Sequence, residues 1–150
     1  GEPIVPVERF IDGYQSRNER LADLMCRFGI CEEKSSGIDR VIESAELMQL
    51  PAPEFLTGHK RTTVVIYGPR AFREMNGSDR VRACYQHCVL QYVLRKQMTN
   101  QSLRERFGLS EGSSNTVSQI ITATMEQRLV KNDPNAPDSR RYARYIPIWA

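Results

Sequence analysis

The sequence predicts an α+β fold in two parts. A small α/β fragment spans residues 1–77, and three helices closed by a β-hairpin span residues 78–150. Apolar residues recur at spacings of three and four in separate stretches of both parts, the mark of helices with one buried face. Thr62-Thr63-Val64-Val65-Ile66-Tyr67 is a β-branched run bounded by a polar turn and Gly68-Pro69, the mark of a strand. Charge also divides unevenly: residues 1–77 carry 10 Lys+Arg against 12 Asp+Glu, whereas residues 78–150 carry 11 against 6.

Residues 1–16, with Pro3, Pro6 and Gly13, read as an extended lead-in. A helix capped near Ser16 and running to Phe28 is expected next, with Leu21, Leu24, Met25 and Phe28 on its inner face and Gly29 as its stop. A second helix runs from about Ile38 to Gln49 on Ile38, Val41, Ile42, Ala45 and Met48, and Pro51 and Pro53 end it. Thr57-Gly58-His59-Lys60 is a polar turn into the Thr62–Tyr67 strand, which lacks an evident partner and so presents an edge for dimerisation.

The second part is more regular. Ser78 or Asp79 caps a long helix to about Arg95, with Val81, Cys84, Tyr85, Cys88, Val89, Tyr92 and Val93 as its core stripe. Thr99 caps a short helix to Phe107, with Leu103 and Phe107 inward. After a tight connection from Gly108 to Gly112, Ser113 or Ser114 caps a helix to about Gln127, with Val117, Ile120, Ile121 and Thr124 or Met125 inward. Leu129–Lys131 and Arg140–Ile148 read as the strands of a hairpin around a proline- and aspartate-rich turn.

Composition excludes some function classes. Hydrophobic residues make up 40% and charged residues 26% of the 150, an ordinary globular balance. No apolar run suggests a membrane span, and no secretory signal is present, so a cytoplasmic location is expected. Gly1 in place of Met suggests that a longer natural chain lies upstream. The four cysteines, Cys26, Cys31, Cys84 and Cys88, are expected to be reduced thiols. Cys84, His87 and Cys88 share a helix at metal-ligand spacing, but no fourth ligand is evident, and core packing is the expected role.

Three helices with a short turn before the third and a hairpin after it make a winged helix-turn-helix arrangement, which suits duplex DNA. The third helix fits the major groove, the second braces it, and the hairpin reaches the backbone. Ser113, Ser114, Asn115, Ser118, Gln119 and Thr122 give that helix a short polar outer face. Asn115 and Gln119 lie one turn apart and can each pair with adenine. Asn100, Gln101 and Arg104 are candidate backbone contacts from the second helix, and Lys131, Arg140, Arg141 and Arg144 from the hairpin. The third helix itself lacks Lys and Arg until Arg128. A protein-interaction or oligomerisation module is therefore the competing reading, with the polar helix as a solvated face.

A resemblance adds to this reading. Ser16-Arg17-Asn18, the run Cys31–Arg40 and Leu50-Pro51-Ala52-Pro53-Glu54-Phe55 resemble the last part of the ATPase-like domain of bacterial RecG-related transcriptional regulators. Arg82–His87, Met98–Gly108 and Tyr145–Ala150 are similar to the C-terminal winged helix of the same family. The resemblance implies DNA binding in transcription regulation and an ATP-related front half, while the homodimer is expected from the strand edge at Val64–Tyr67. It places Ser35-Ser36-Gly37 where the family has a glycine-serine-glycine nucleotide segment. The first glycine is lost here, and no GxxxxGK[ST] loop supports a helicase motor. From this chain alone no catalysis and no cofactor are expected, ATP belonging to the full-length protein. The back half of an ATP-dependent enzyme is the rival reading.

Overall fold

The structure, a computed structural model, describes residues 2–31, 37–137, 139 and 142–150, together with the Ser36 backbone. It is α+β, with five α-helices and two antiparallel hairpins among the described residues. In chain order, α1 spans Glu19–Arg27, α2 Ser36–Leu47, β1 Glu54–Gly58, β2 Arg61–Val65 and α3 Gly77–Val93. Then come α4 Asn100–Arg106, α5 Ser114–Glu126, β3 Val130–Asn132 and β4 Tyr145–Pro147.

The second part follows the sequence closely. Thr99 caps α4: its hydroxyl accepts from Ser102 N, while Ser102 Oγ accepts from Thr99 N, which satisfies two otherwise orphan donors. Leu103, Phe107, Val117, Ile120, Ile121 and Thr124 are buried as expected. The hairpin strands are shorter than their apolar patterns suggest, with Val130 paired to Pro147 and Asn132 to Tyr145. Met98 adds a single antiparallel bridge to Tyr145. A helix-helix-helix-hairpin order closed by this small ladder is compatible with a winged helix.

The first part departs from expectation in three ways. First, Glu54–Gly58 forms a strand, so β2 has a partner within the chain. Residues 54–58 pair in register with 65–61 around a two-residue turn, His59-Lys60. Lys60 sits at φ 56°, in the left-handed region, where the chain reverses. Second, α1 starts at an Asn18 cap rather than Ser16, and none of its residues is buried. Its expected inner face is open, with Leu21 51% and Phe28 72% exposed. Third, Val41 and Met48 of the second helix also face outward, leaving Ile42 and Ala45 as its buried contacts.

A single apolar cluster crosses the junction at residue 77. Ile11, Ile42, Ala52 and Met75 pack with Ala83, Cys84, Cys88, Val89, Leu90, Met98, Leu103, Val117, Ile121 and Val130. Helix α3 is its axis: residues 83–90 are all buried, Gln86 and His87 included. Only the end of the expected stripe emerges, at Tyr92 and Val93. The cap is Asn76 rather than Ser78 or Asp79. Asp79 is buried instead and pairs with Arg82 at 2.7 Å and Arg70 at 3.3 Å. Several polar groups on α3 find partners in residues 1–77. Arg82 Nε donates to Ala52 O, Gln86 Nε2 to Pro53 O and the Tyr85 hydroxyl to Glu8 O. The lead-in is thus not loosely extended: a 3-10 turn at Val7–Arg9 sets it against α3, and Ile11 enters the core.

Candidate nucleic-acid interface

Six of the residues singled out for DNA come together. Asn100, Gln101 and Arg104 on α4, Ser114 and Ser118 on α5, and Arg144 beside β4 line one open groove of about 800 Å3. Gln97, Thr99, Tyr142, Ala143 and Tyr145 complete it. The bracing helix, the third helix of this part and the hairpin therefore share one concave face.

Asn100 organises that face. Its amide nitrogen donates to Ser114 O and to Ser118 Oγ, each at 3.0 Å. Its amide oxygen accepts from Arg104 Nε at 3.1 Å and from Ser114 Oγ at 3.3 Å. An amide has two donors and two acceptor positions, so Asn100 is fully engaged. The arginine donor also fixes which end of the amide faces it. Asn100 thereby clamps α4 to the start of α5 and holds Arg104, which lines the groove, by Nε. Ser114 is diverted to Asn100, and Ser113 takes the N-cap position of α5 without a side-chain cap bond. Gln101 pairs with Glu105 at 2.9 Å along the exposed side of α4.

Other candidates lie outside this lining. Asn115, Gln119 and Thr122 are exposed along α5, as its polar periodicity implies. Lys131 is half-buried and donates to Ala150 O at 2.6 Å, so its charge points along the hairpin toward the chain end. Arg140, Arg141 and Ser35 lie outside the described residues, as does the Ser36 side chain. Gly37 is exposed, and a Cβ built there meets nothing within 4 Å. Nothing packed around Gly37 requires a glycine. Tyr142 is exposed on the groove, whereas Tyr145 and Trp149 pack against the core.

Sequence reading missed a buried polar link behind the groove. His87 Nδ1 lies 2.9 Å from Glu46 Oε2, and His87 Nε2 lies 3.0 Å from Ser102 Oγ. An ionised carboxylate only accepts, so Nδ1 carries the proton toward Glu46. Arg106 also faces Glu46, at 3.5 Å, and donates to Leu50 O at 2.7 Å. Its side chain is 2% exposed. Burial lowers the Arg106 pKa, and the Glu46 charge opposes that shift. Ser102, His87 and Glu46 have the order of a hydrolase triad, but Ser102 Oγ accepts from Thr99 N, and Thr99 O competes with His87 Nε2 for its single proton. The set is a clamp joining α2, α3 and α4. Its signal in the sequence is weak: a buried histidine amid an apolar stripe, with partners 41 and 15 residues away.

The metal-ligand spacing of Cys84, His87 and Cys88 resolves into packing. Both cysteines are buried, and His87 is committed to Glu46 and Ser102. Burial pushes the Cys84 thiol up to about 12 and raises that of Cys88 as well.

Residues 3–66 match the family model described as "Putative ATP-dependent DNA helicase recG C-terminal". That segment is therefore similar to a RecG-related, ATPase-like family. No curated protein and no solved structure matches the chain. Among the described residues, no helix is long and apolar enough to cross a membrane.

Proposed function

We propose that this chain is the DNA-binding part of a RecG-related, ATPase-like transcriptional regulator, docking on duplex DNA through the groove between α4, α5 and the β3–β4 hairpin. The groove carries the proposal. It brings Arg104 and Arg144 into one lining with Ser114 and Ser118 of α5. A helix with its side chains is roughly as wide as the major groove of B-DNA, about 12 Å across. In this reading Arg104 and Arg144 meet phosphates, Asn115, Gln119 and Thr122 face base edges, and Asn100 is a positioning residue. The excess of basic residues over positions 78–150 supports a polyanionic partner. Selection from a random duplex library tests the proposal: a recovered consensus sequence is expected, and recovery of unselected sequence alone would leave only backbone binding.

The family description of residues 3–66 favours a second reading, in which the chain is the back part of an ATP-dependent enzyme acting on DNA. The two readings differ in one observable. Calorimetric titration with ATP should give no heat of binding to residues 1–150 under the regulator reading, and saturable binding under the enzyme reading.

A further inference from the structure

We propose that Cys26 and Cys31 form a reversible redox pair, which closes into an intramolecular disulfide on exposure to a peroxide. Helix α1 ends in a Cys-Arg-Phe-Gly-Ile-Cys run. Gly29 takes φ +67°, a left-handed conformation that glycine adopts without a Cβ penalty. Gly29 N then donates to Cys26 O, and Ile30 N to Met25 O, each at 2.9 Å. This Schellman turn reverses the chain and returns Cys31 against the last turn of the helix it has just left. The two sulfurs stand 3.2 Å apart. A covalent S–S bond is about 2.05 Å long, so closure takes a small local movement. Cys31 is exposed and Cys26 half-buried, so an oxidant reaches the pair from solvent.

The contrast with the other pair is chemical. Cys84 and Cys88 are also close in sequence, but both are sealed in the core of α3. The thiolate is the nucleophile, and burial holds both as thiols.

The reaction balances with a peroxide as oxidant. The Cys31 thiolate attacks one peroxide oxygen; an S–O bond forms, the O–O bond breaks, and hydroxide leaves to become water. The Cys26 thiolate then attacks the Cys31 sulfur; the S–S bond forms, the S–O bond breaks, and a second hydroxide leaves to become water. Two thiols and one hydrogen peroxide give one disulfide and two waters, and an external dithiol reverses the change. The closed form staples the end of α1 to the chain that leads into α2.

A non-reducing peptide map of the whole chain tests this. Arg20, Arg27 and Lys34 are tryptic sites, so the two cysteines fall on separate peptides, Leu21–Arg27 and Phe28–Lys34. After mild hydrogen peroxide treatment and alkylation, these two peptides should appear joined, and dithiothreitol should separate them. The protein should run as a monomer on a non-reducing gel, with Cys84 and Cys88 still thiols. The link should vanish in Cys31→Ser, whose fold is checked by circular dichroism; the wild-type map stands without that variant. Cys31 driven to sulfinic or sulfonic acid while Cys26 remains alkylatable would overturn the proposal. So would a link found only in covalent dimers, or one involving Cys84 or Cys88.

Discussion

Helices α1 and α3 invert the usual relation between sequence pattern and burial. Helix α1 is cleanly two-faced, with Leu21, Leu24 and Phe28 on one side, yet none of its residues is buried. Helix α3 carries Gln86 and His87 among its apolar residues, yet residues 83–90 are buried without a break. An apolar stripe states that a face gains by leaving water. It does not state what covers that face. Conversely, a helix enclosed on all sides needs no clean stripe when its polar side chains reach partners on neighbouring elements. On α3, Gln86 finds Pro53 O and His87 finds Glu46 and Ser102.

Core truncation gives the largest test of this contrast. Leu90→Ala on α3 should cost roughly 2–5 kcal/mol through lost transfer energy and a cavity. The matching change Leu24→Ala on α1 should stay within about 0.5 kcal/mol. Urea unfolding of both variants checks the pair, and equal costs would mean that α1 is covered in solution. Next in size, Glu46→Ala should destabilise by about 2 kcal/mol, because it leaves Arg106 and His87 facing each other without the carboxylate between them. Glu46→Gln should recover part of that loss by keeping a hydrogen-bond acceptor. Smaller again, Thr99→Ala removes the capping box of α4 and should cost about 1 kcal/mol, read from the same melts.

The same contrast explains what was legible in the sequence. Features set by near neighbours were readable: the Thr99 cap, the Leu103 and Phe107 face, and the inward row of Val117, Ile120, Ile121 and Thr124. Features set by distant partners were not. Strand β1 hides between Pro53 and a polar turn, and only its pairing with β2 makes it a strand. Helices α2, α3 and α5 end in left-handed residues that are not glycine, at Gln49, Arg95 and Arg128, so the usual stop signal is missing. Gly108 is the opposite case: a Cβ there would lie 2.7 Å from Gln49 Oε1, a contact between the two halves that no local pattern announces. The groove was legible in part. Residue types pointed to Asn100, Arg104, Ser114, Ser118 and Arg144, but only geometry shows Asn100 engaged on all sides and Lys131 turned toward Ala150.

The groove's role in DNA binding is tested most directly by fluorescence anisotropy of a labelled duplex, titrated with protein over a series of salt concentrations. Each phosphate neutralised by a basic side chain contributes about −0.9 to the slope of log affinity against log salt. The Arg104→Ala, Arg144→Ala double variant should therefore bind duplexes of any sequence more weakly, with a slope shallower by about 2. Wild-type affinity and slope in a folded double variant would contradict the account and remove this groove from any role in contacting DNA.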